Sequence, residues 1–169
     1  MRPNSERGRG KRQVGPWLRY GACAVAVAAT AVAGARAVDP DSVWYLSLAK
    51  PPWQPPSWAF GAVWTPLYAT VAYAGGRALG AATERRERAG LAASLAGDLV
   101  LNAGWNWLFF GLRSTRAGLA GTVLLDLSNA ELVRRTARSD RTAAAVLVPY
   151  AAWCAFATAL NGSIAARNP

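Results

Sequence analysis

Apolar positions along the chain gather into five charge-poor runs, residues 17–38, 58–79, 89–112, 117–133 and 142–166, and most of the charge sits in short blocks between them. Each run approaches or exceeds the roughly 20 residues that an α-helix needs to cross the hydrocarbon core of a bilayer. The pattern predicts an all-α membrane protein, a bundle of five transmembrane helices in one domain over residues 16–169. The fourth run is the weakest, being short and carrying Asp126 and Glu131. The connections after the second run are short, so the second to fifth helices are expected to be antiparallel neighbours. Pro66 and Pro149 fall inside runs two and five, where lipid-embedded helices tolerate a kink.

Residues 1–15 are polar and basic and read as a disordered cytoplasmic tail. A signal peptide is the rival reading, because an Ala-rich run containing Ala33-Gly34-Ala35 follows the basic residues; the length of that run favours a retained first span. Basic residues then decide orientation, since Lys and Arg concentrate on the cytoplasmic side of short loops. With the N-terminus inside, the inner segments hold thirteen: five in the tail, then Arg77, Arg85, Arg86, Arg88, Arg134, Arg135, Arg138 and Arg141. The outer segments hold five, namely Arg36, Lys50, Arg113, Arg116 and Arg167. The expected topology is N-terminus inside and C-terminus outside.

That orientation gives the stretch at 44–68 its meaning, because it holds four of the eight tryptophans and five of the ten prolines. Pro51, Pro52, Pro55 and Pro56 lack N–H donors and hold their predecessors extended. They exclude a helix or a central strand from residues 44–56 and suggest a stiff outer loop, either a lid or a plain connector. Trp44 and Trp53 lie in this loop, Trp58 and Trp64 enter from the outer side, and Trp105, Trp107, Phe109 and Phe110 approach the same side. Trp153 falls near mid-depth, and only Trp17 and Tyr20 mark the inner face. Interfacial belts ordinarily place such rings at both faces, so the asymmetry suggests a flat slot for a planar ligand. Interface anchors and helix packing are the other reading.

Composition narrows the chemistry. The net charge is +10, with 19 basic against 9 acidic residues. The basic residues flank apolar spans, which fits anionic headgroups better than nucleic acid. There is no histidine, which removes the commonest haem ligand and general base. No metal is expected and no cofactor is required. Cys23 and Cys154 lie within apolar runs and read as packing residues rather than a disulfide. Asp98 and Asp126 fall at mid-depth, where carboxylates are costly and often functional. Either accepts a hydrogen bond from a ligand or relays a proton, or both share hydrogen bonds with Asn102, Asn106 or Asn129 and hold the third and fourth helices together. Glu131 stands near the inner face with Arg134 and Arg135 one turn on, spacing that favours an ion pair.

Four motifs carry a resemblance. W-Y-x-x-L-x-K-P-P-W-x-P-P at 44–56, F-G-x-V-W-T-x-L-Y at 60–68, L-N-x-x-W-x-x-L-F-F-G at 101–111 and P-Y-x-x-W-x-x-F-A-x-x-L-N at 149–161 are similar to those of the TspO/MBR family, the tryptophan-rich sensory and translocator proteins. The resemblance implies a five-helix membrane protein, commonly a homodimer, with a ligand pocket roofed by the loop between the first two helices. Its implied ligands are tetrapyrroles, porphyrin or haem, with lipids and sterols as further family ligands. By motif the pocket residues are Trp44, Tyr45, Trp53, Trp64, Asn102, Trp105 and Trp153. Light-dependent porphyrin degradation is an implied activity, with Trp64 and Trp153 as redox-active neighbours, and transport of tetrapyrroles or lipids is the alternative. Lys50 or Arg36 would be available to a ligand propionate. The chain departs from the family pattern at Asp98, where a glutamine is common, and at Asn106, where serine is usual. Short sterol-type patterns at Val43–Tyr45–Lys50 and Val71–Tyr73–Arg77 carry little weight. The Ala- and Arg-rich composition suggests a bacterial cytoplasmic membrane.

Overall fold

The computed structural model describes residues 15–169; the basic tail lies outside the described residues, apart from Gly15. Six α-helices follow in order: α1 Pro16–Ala35, the one-turn α2 Val43–Ser47, α3 Ser57–Ala81, α4 Arg85–Asn106, α5 Thr115–Ser139 and α6 Arg141–Arg167. Helix α4 runs on into a π-helical turn, Trp107–Gly111. No strand occurs among the described residues. Pro16 stands at the start of α1, where its missing N–H would be unpartnered in any case. Pro66 and Pro149 are accommodated inside α3 and α6.

The five long helices close into a ring in the order α1, α3, α6, α5, α4, with α4 returning to α1. This corrects one expectation: α3 and α4 are joined by a short turn but touch little, because α1 packs against both. Glycine makes that insertion possible. A Cβ on Gly76 would overlap the Tyr20 ring, and one on Gly34 would lie 2.7 Å from Asn106 Nδ2. The ring interior is filled by Val71, Ala74, Leu95, Leu99, Leu125, Leu147 and Cys154. Cys23 and Cys154 are both free thiols, buried as packing residues.

Large apolar side chains also face outward on the long helices, among them Val25, Val32, Val100, Leu124, Leu127 and Val148. Two helices, Pro16–Ala35 and Arg141–Arg167, are apolar and long enough to cross a membrane by length and composition. Helix α3 is free of charge before Arg77, but its Trp, Tyr, Gly and Pro residues lower its mean hydropathy. Helices α4 and α5 carry charge at their ends and one or two carboxylates within.

The two ends of the ring differ in chemistry. At the end formed by the α3–α4 and α5–α6 connections, Arg77 pairs with Asp140 at 2.6 Å and Ser139 donates to Glu87. Arg88 donates to the carbonyls of Leu79 and Ala82, which lack intrahelical partners at the end of α3. Glu131 pairs with Arg134 at 2.7 Å and Arg135 at 2.5 Å, the ion pair that helical spacing favoured. The opposite end is aromatic.

Residues 44–56 hold a second correction. Val43–Ser47 forms a helical turn containing Trp44 and Tyr45, although the prolines argued against any helix there. The prolines constrain only themselves and the residue before each, so their reach stops at Lys50. Upstream, Ser42 supplies an N-cap, its hydroxyl accepting from the Tyr45 N–H at 3.3 Å. The turn ends at Leu48, which is extended at φ −65°, ψ 135°.

Candidate functional site

The aromatic end is built from two walls under one loop. The first wall belongs to α4 and its π-helical turn. Hydrogen bonds closed from i to i+5 rather than i to i+4 widen the helix; here the wider turn accompanies the inward placement of Phe109, which is buried at 3% exposure. Trp105 stacks on Phe109 at 6.0 Å, and Phe110 meets it edge-on at 4.9 Å. From the loop, Trp44 packs edge-on against Phe109 at 5.3 Å, and Tyr45 lies tilted against Phe110 at 5.2 Å. Lys50 Nζ stands 3.9 Å from the Tyr45 ring centroid, a cation–π arrangement, and burial lowers the pKa of its ammonium.

The second wall belongs to α3 and α6. Trp153 stacks on Phe156 at 5.1 Å and meets Phe60 at 6.1 Å. Trp53 of the loop caps this wall, edge-on to Phe156 at 5.9 Å. Deeper on the same wall, Trp64 stacks on Tyr68 at 5.2 Å and contacts Tyr150 edge-on at 6.1 Å. The residues nominated from sequence therefore divide: Trp44, Tyr45 and Trp105 on one wall, Trp53, Trp64 and Trp153 on the other. Gln54 Nε2 donates to the Tyr45 hydroxyl at 3.2 Å, tying the two halves of the loop. Of the four loop prolines, Pro51 is buried while Pro52, Pro55 and Pro56 keep some exposure.

Asn102 joins the walls from below. Its Oδ1 accepts from the Tyr68 hydroxyl at 2.8 Å and its Nδ2 donates to the Tyr150 oxygen at 3.1 Å. The Tyr150 hydroxyl in turn donates to Asp98 Oδ2 at 2.8 Å, in surroundings where Asp98 is fully buried. The resulting chain Tyr68–Asn102–Tyr150–Asp98 spans α3, α4 and α6 across the ring. Asp126 is held separately, accepting from Thr158 Oγ1 at 2.6 Å. Both carboxylates are therefore tied to α6, not to each other or to the asparagines that sequence proximity suggested. One oxygen of each, Asp98 Oδ1 and Asp126 Oδ1, has no hydrogen-bond partner among the described residues.

The loop is also fastened from the far end of the chain. Asn168 accepts from the Ala49 N–H at 2.9 Å and donates to the Ala49 carbonyl at 3.0 Å, as a neighbouring strand would. Beside this clasp lies an open cleft of about 370 Å³ bordered by Trp44, Leu48 and the turn 113–116. Sequence reading missed Tyr68, Tyr150, Thr158, Phe60, Phe156 and Asn168. For Tyr150 a signal existed: a carboxylate at mid-depth needs a donor, and Tyr150 lies at comparable depth on another apolar run. Among the described residues no cluster of His, Cys, Asp and Glu could hold a metal ion.

A helical ring with outward apolar side chains, and with aromatic walls capped by its first long loop, fits a tryptophan-rich helical membrane protein with its aromatic residues gathered at one end. Comparison with known proteins agrees. The TspO/MBR family matches residues 22–167. The chain is 38% identical over 130 residues to the tryptophan-rich protein TspO of Chlorobaculum tepidum, covering 77% of this chain and 82% of that one. It is 35% identical over 147 residues to protein CrtK of Rhodobacter capsulatus, covering 86% and 92%. It is also 34% identical over 151 residues to the human translocator protein, covering 86% and 88%. The chain belongs to the TspO/MBR family.

Proposed function

We propose that this protein is a membrane-embedded sensory or regulatory protein that binds a tetrapyrrole, porphyrin or haem, between the two aromatic walls. The observation that carries the reading is that one loop caps both walls, with Trp44 and Tyr45 on one and Trp53 on the other. Offset and edge-on ring contacts contribute about 0.5–1.5 kcal/mol each beyond area burial. Three or four such contacts to a macrocycle suffice for micromolar affinity after association costs. The rings here contact one another, so binding exchanges ring–ring for ring–ligand contacts and lifts the loop. Asn102 and the tyrosines beneath offer hydrogen bonds to a polar centre.

In this reading the five long helices all span the bilayer, with the N-terminus inside, the aromatic end outside and two copies forming a homodimer. A bacterial cytoplasmic membrane is the expected location. Trp64 and Trp153 stand as redox-active neighbours of the ligand for light-dependent degradation, a photo-oxidation in which dissolved dioxygen is the oxidant. No tightly bound cofactor is needed for binding.

Titrating purified protein with protoporphyrin while following tryptophan fluorescence tests the reading. Saturable quenching that weakens several-fold in Trp64→Phe supports it; quenching that never saturates in the wild type overturns it. Illuminating the saturated sample and following loss of porphyrin absorbance tests degradation.

A further inference from the structure

The cleft beside the loop shares Trp44 with the first aromatic wall, but its chemistry is distinct. Arg113 and Arg116 border it, and neither pairs with a described carboxylate. Arg113 has φ 51°, the single positive φ among the described non-glycine residues, a conformation that asparagine or glycine takes more readily. The backbone thus holds a guanidinium at this turn against local preference.

Helix α5 begins at the floor of the cleft. Ser114 caps it by accepting from the Ala117 N–H at 3.1 Å, which leaves the Thr115 and Arg116 amides without intrahelical acceptors. The α5 N-terminus carries partial positive charge and suits an anion. A second observation points the same way: Thr115 borders the cleft, is only 8% exposed, and its hydroxyl has no hydrogen-bond partner among the described residues. The remaining lining comes from the rings and side chains of Trp44 and Leu48 and from Asn168 and Pro169 at the end of the chain. Trp44 is also the ring that heads the α4 wall through Phe109. Lys50, one of the two residues nominated from sequence for a propionate, is instead directed at the Tyr45 ring.

We infer that this cleft receives the carboxylate edge of the ligand, with Arg113 and Arg116 as its anchors and the Thr115 hydroxyl and first-turn amides as added donors. The inference rests on the tetrapyrrole reading above and adds a requirement to it: the ligand must carry acid groups at its rim. A macrocycle lying against Trp44 places its propionates toward the turn at 113–116. Guanidinium forks bind carboxylates with two parallel hydrogen bonds, and the α5 terminus adds to the attraction.

The test compares protoporphyrin IX with its dimethyl ester, which has the same ring and no acid. Both are titrated into detergent-solubilised wild type, Arg113→Gly and the double variant Arg113→Ala/Arg116→Ala. Arg113→Gly suits the positive φ, so it removes the guanidinium without straining the turn. Wild type is expected to favour the acid over the ester on the order of fivefold or more. Both variants should lose most of that preference while binding the ester within about twofold of wild type. Equal affinity for acid and ester in the wild type would overturn the carboxylate site and leave the tetrapyrrole reading standing. Failure of both ligands to saturate would overturn the two together. Repeating the titration in phosphatidylglycerol nanodiscs separates ligand carboxylate from lipid phosphate. Persistence of the acid preference supports the assignment, and its disappearance in that lipid alone gives the cleft to a headgroup.

Discussion

Asp98 has 0% exposure and sits well inside the ring, where an ionisable group has to be partnered by protein. The Tyr150 hydroxyl supplies one partner and Asn102 extends the contact to Tyr68. Removing that hydroxyl leaves a buried acceptor without its donor, which costs about 1–3 kcal/mol. Tyr150→Phe is therefore expected to lower the unfolding midpoint measured in detergent. Asp98→Asn should cost less in the Tyr150→Phe background than alone, a coupling that a double-mutant cycle reads directly. Equal costs in both backgrounds would show that the two side chains do not act as a unit. The sequence makes Asp98 conspicuous but cannot name Tyr150 as its partner. Their separation of 52 residues becomes a contact only because both side chains reach into the ring interior from the helices on either side of α5.

At the scale of elements, five long helical segments were legible from the apolar runs, while their ends and their order were not: α5 continues to Ser139, through the charged block beyond the run at 117–133. Short connections argued that α3 and α4 are neighbours, yet α1 lies between them on the strength of Gly76 and Gly34. A Cβ at Gly76 would meet the Tyr20 ring, so Gly76→Ala is expected to destabilise by about 1–3 kcal/mol through overpacking. Tyr20→Ala should recover part of that loss. A Gly76→Ala protein as stable as wild type would contradict the close approach. The loop shows a similar division. Its prolines marked it as stiff, but the turn at Val43–Ser47 depends on the Ser42 cap and on packing against Phe109, a residue from a distant part of the chain. The clasp from Asn168 was equally hidden, since one asparagine near the chain end carries no signal of its own. Asn168→Ala removes two hydrogen bonds to Ala49. Each such bond is worth about 0.5–1.5 kcal/mol, so amide hydrogen exchange at Ala49 should quicken on the order of tenfold, with α1 unchanged.

Taken whole, the molecule has a basic, ion-paired end and an aromatic end, joined by helices whose outer faces are largely apolar. Asp140 links the first of these to stability. The α6 amide of Ala143, followed by the charge of Arg77, holds its carboxyl below the ordinary aspartate range. A depressed carboxyl contributes stability that is full above the ordinary value, near about pH 4, and is lost as pH falls through the folded value. Asn can still cap α6 but carries no charge, so wild type should be more stable than Asp140→Asn at neutral pH, and the two should converge in acid. Unfolding midpoints followed from pH 7 downward check the sign; a gap that widens in acid would contradict it. At the other end, the tryptophans read from sequence as a group on one side, without revealing that they form two walls. That partition follows from the ring order and from a loop that spans both. The central claim is that a planar tetrapyrrole lies between those walls in a fixed pose. Circular dichroism in the Soret band tests it most directly, because protoporphyrin is achiral and gains a signal there only when a chiral site holds it. Wild type should induce a saturable Soret signal that Trp53→Ala and Trp64→Ala each reduce. A wild-type spectrum without that signal at saturating porphyrin, or one unchanged in both variants, would contradict it.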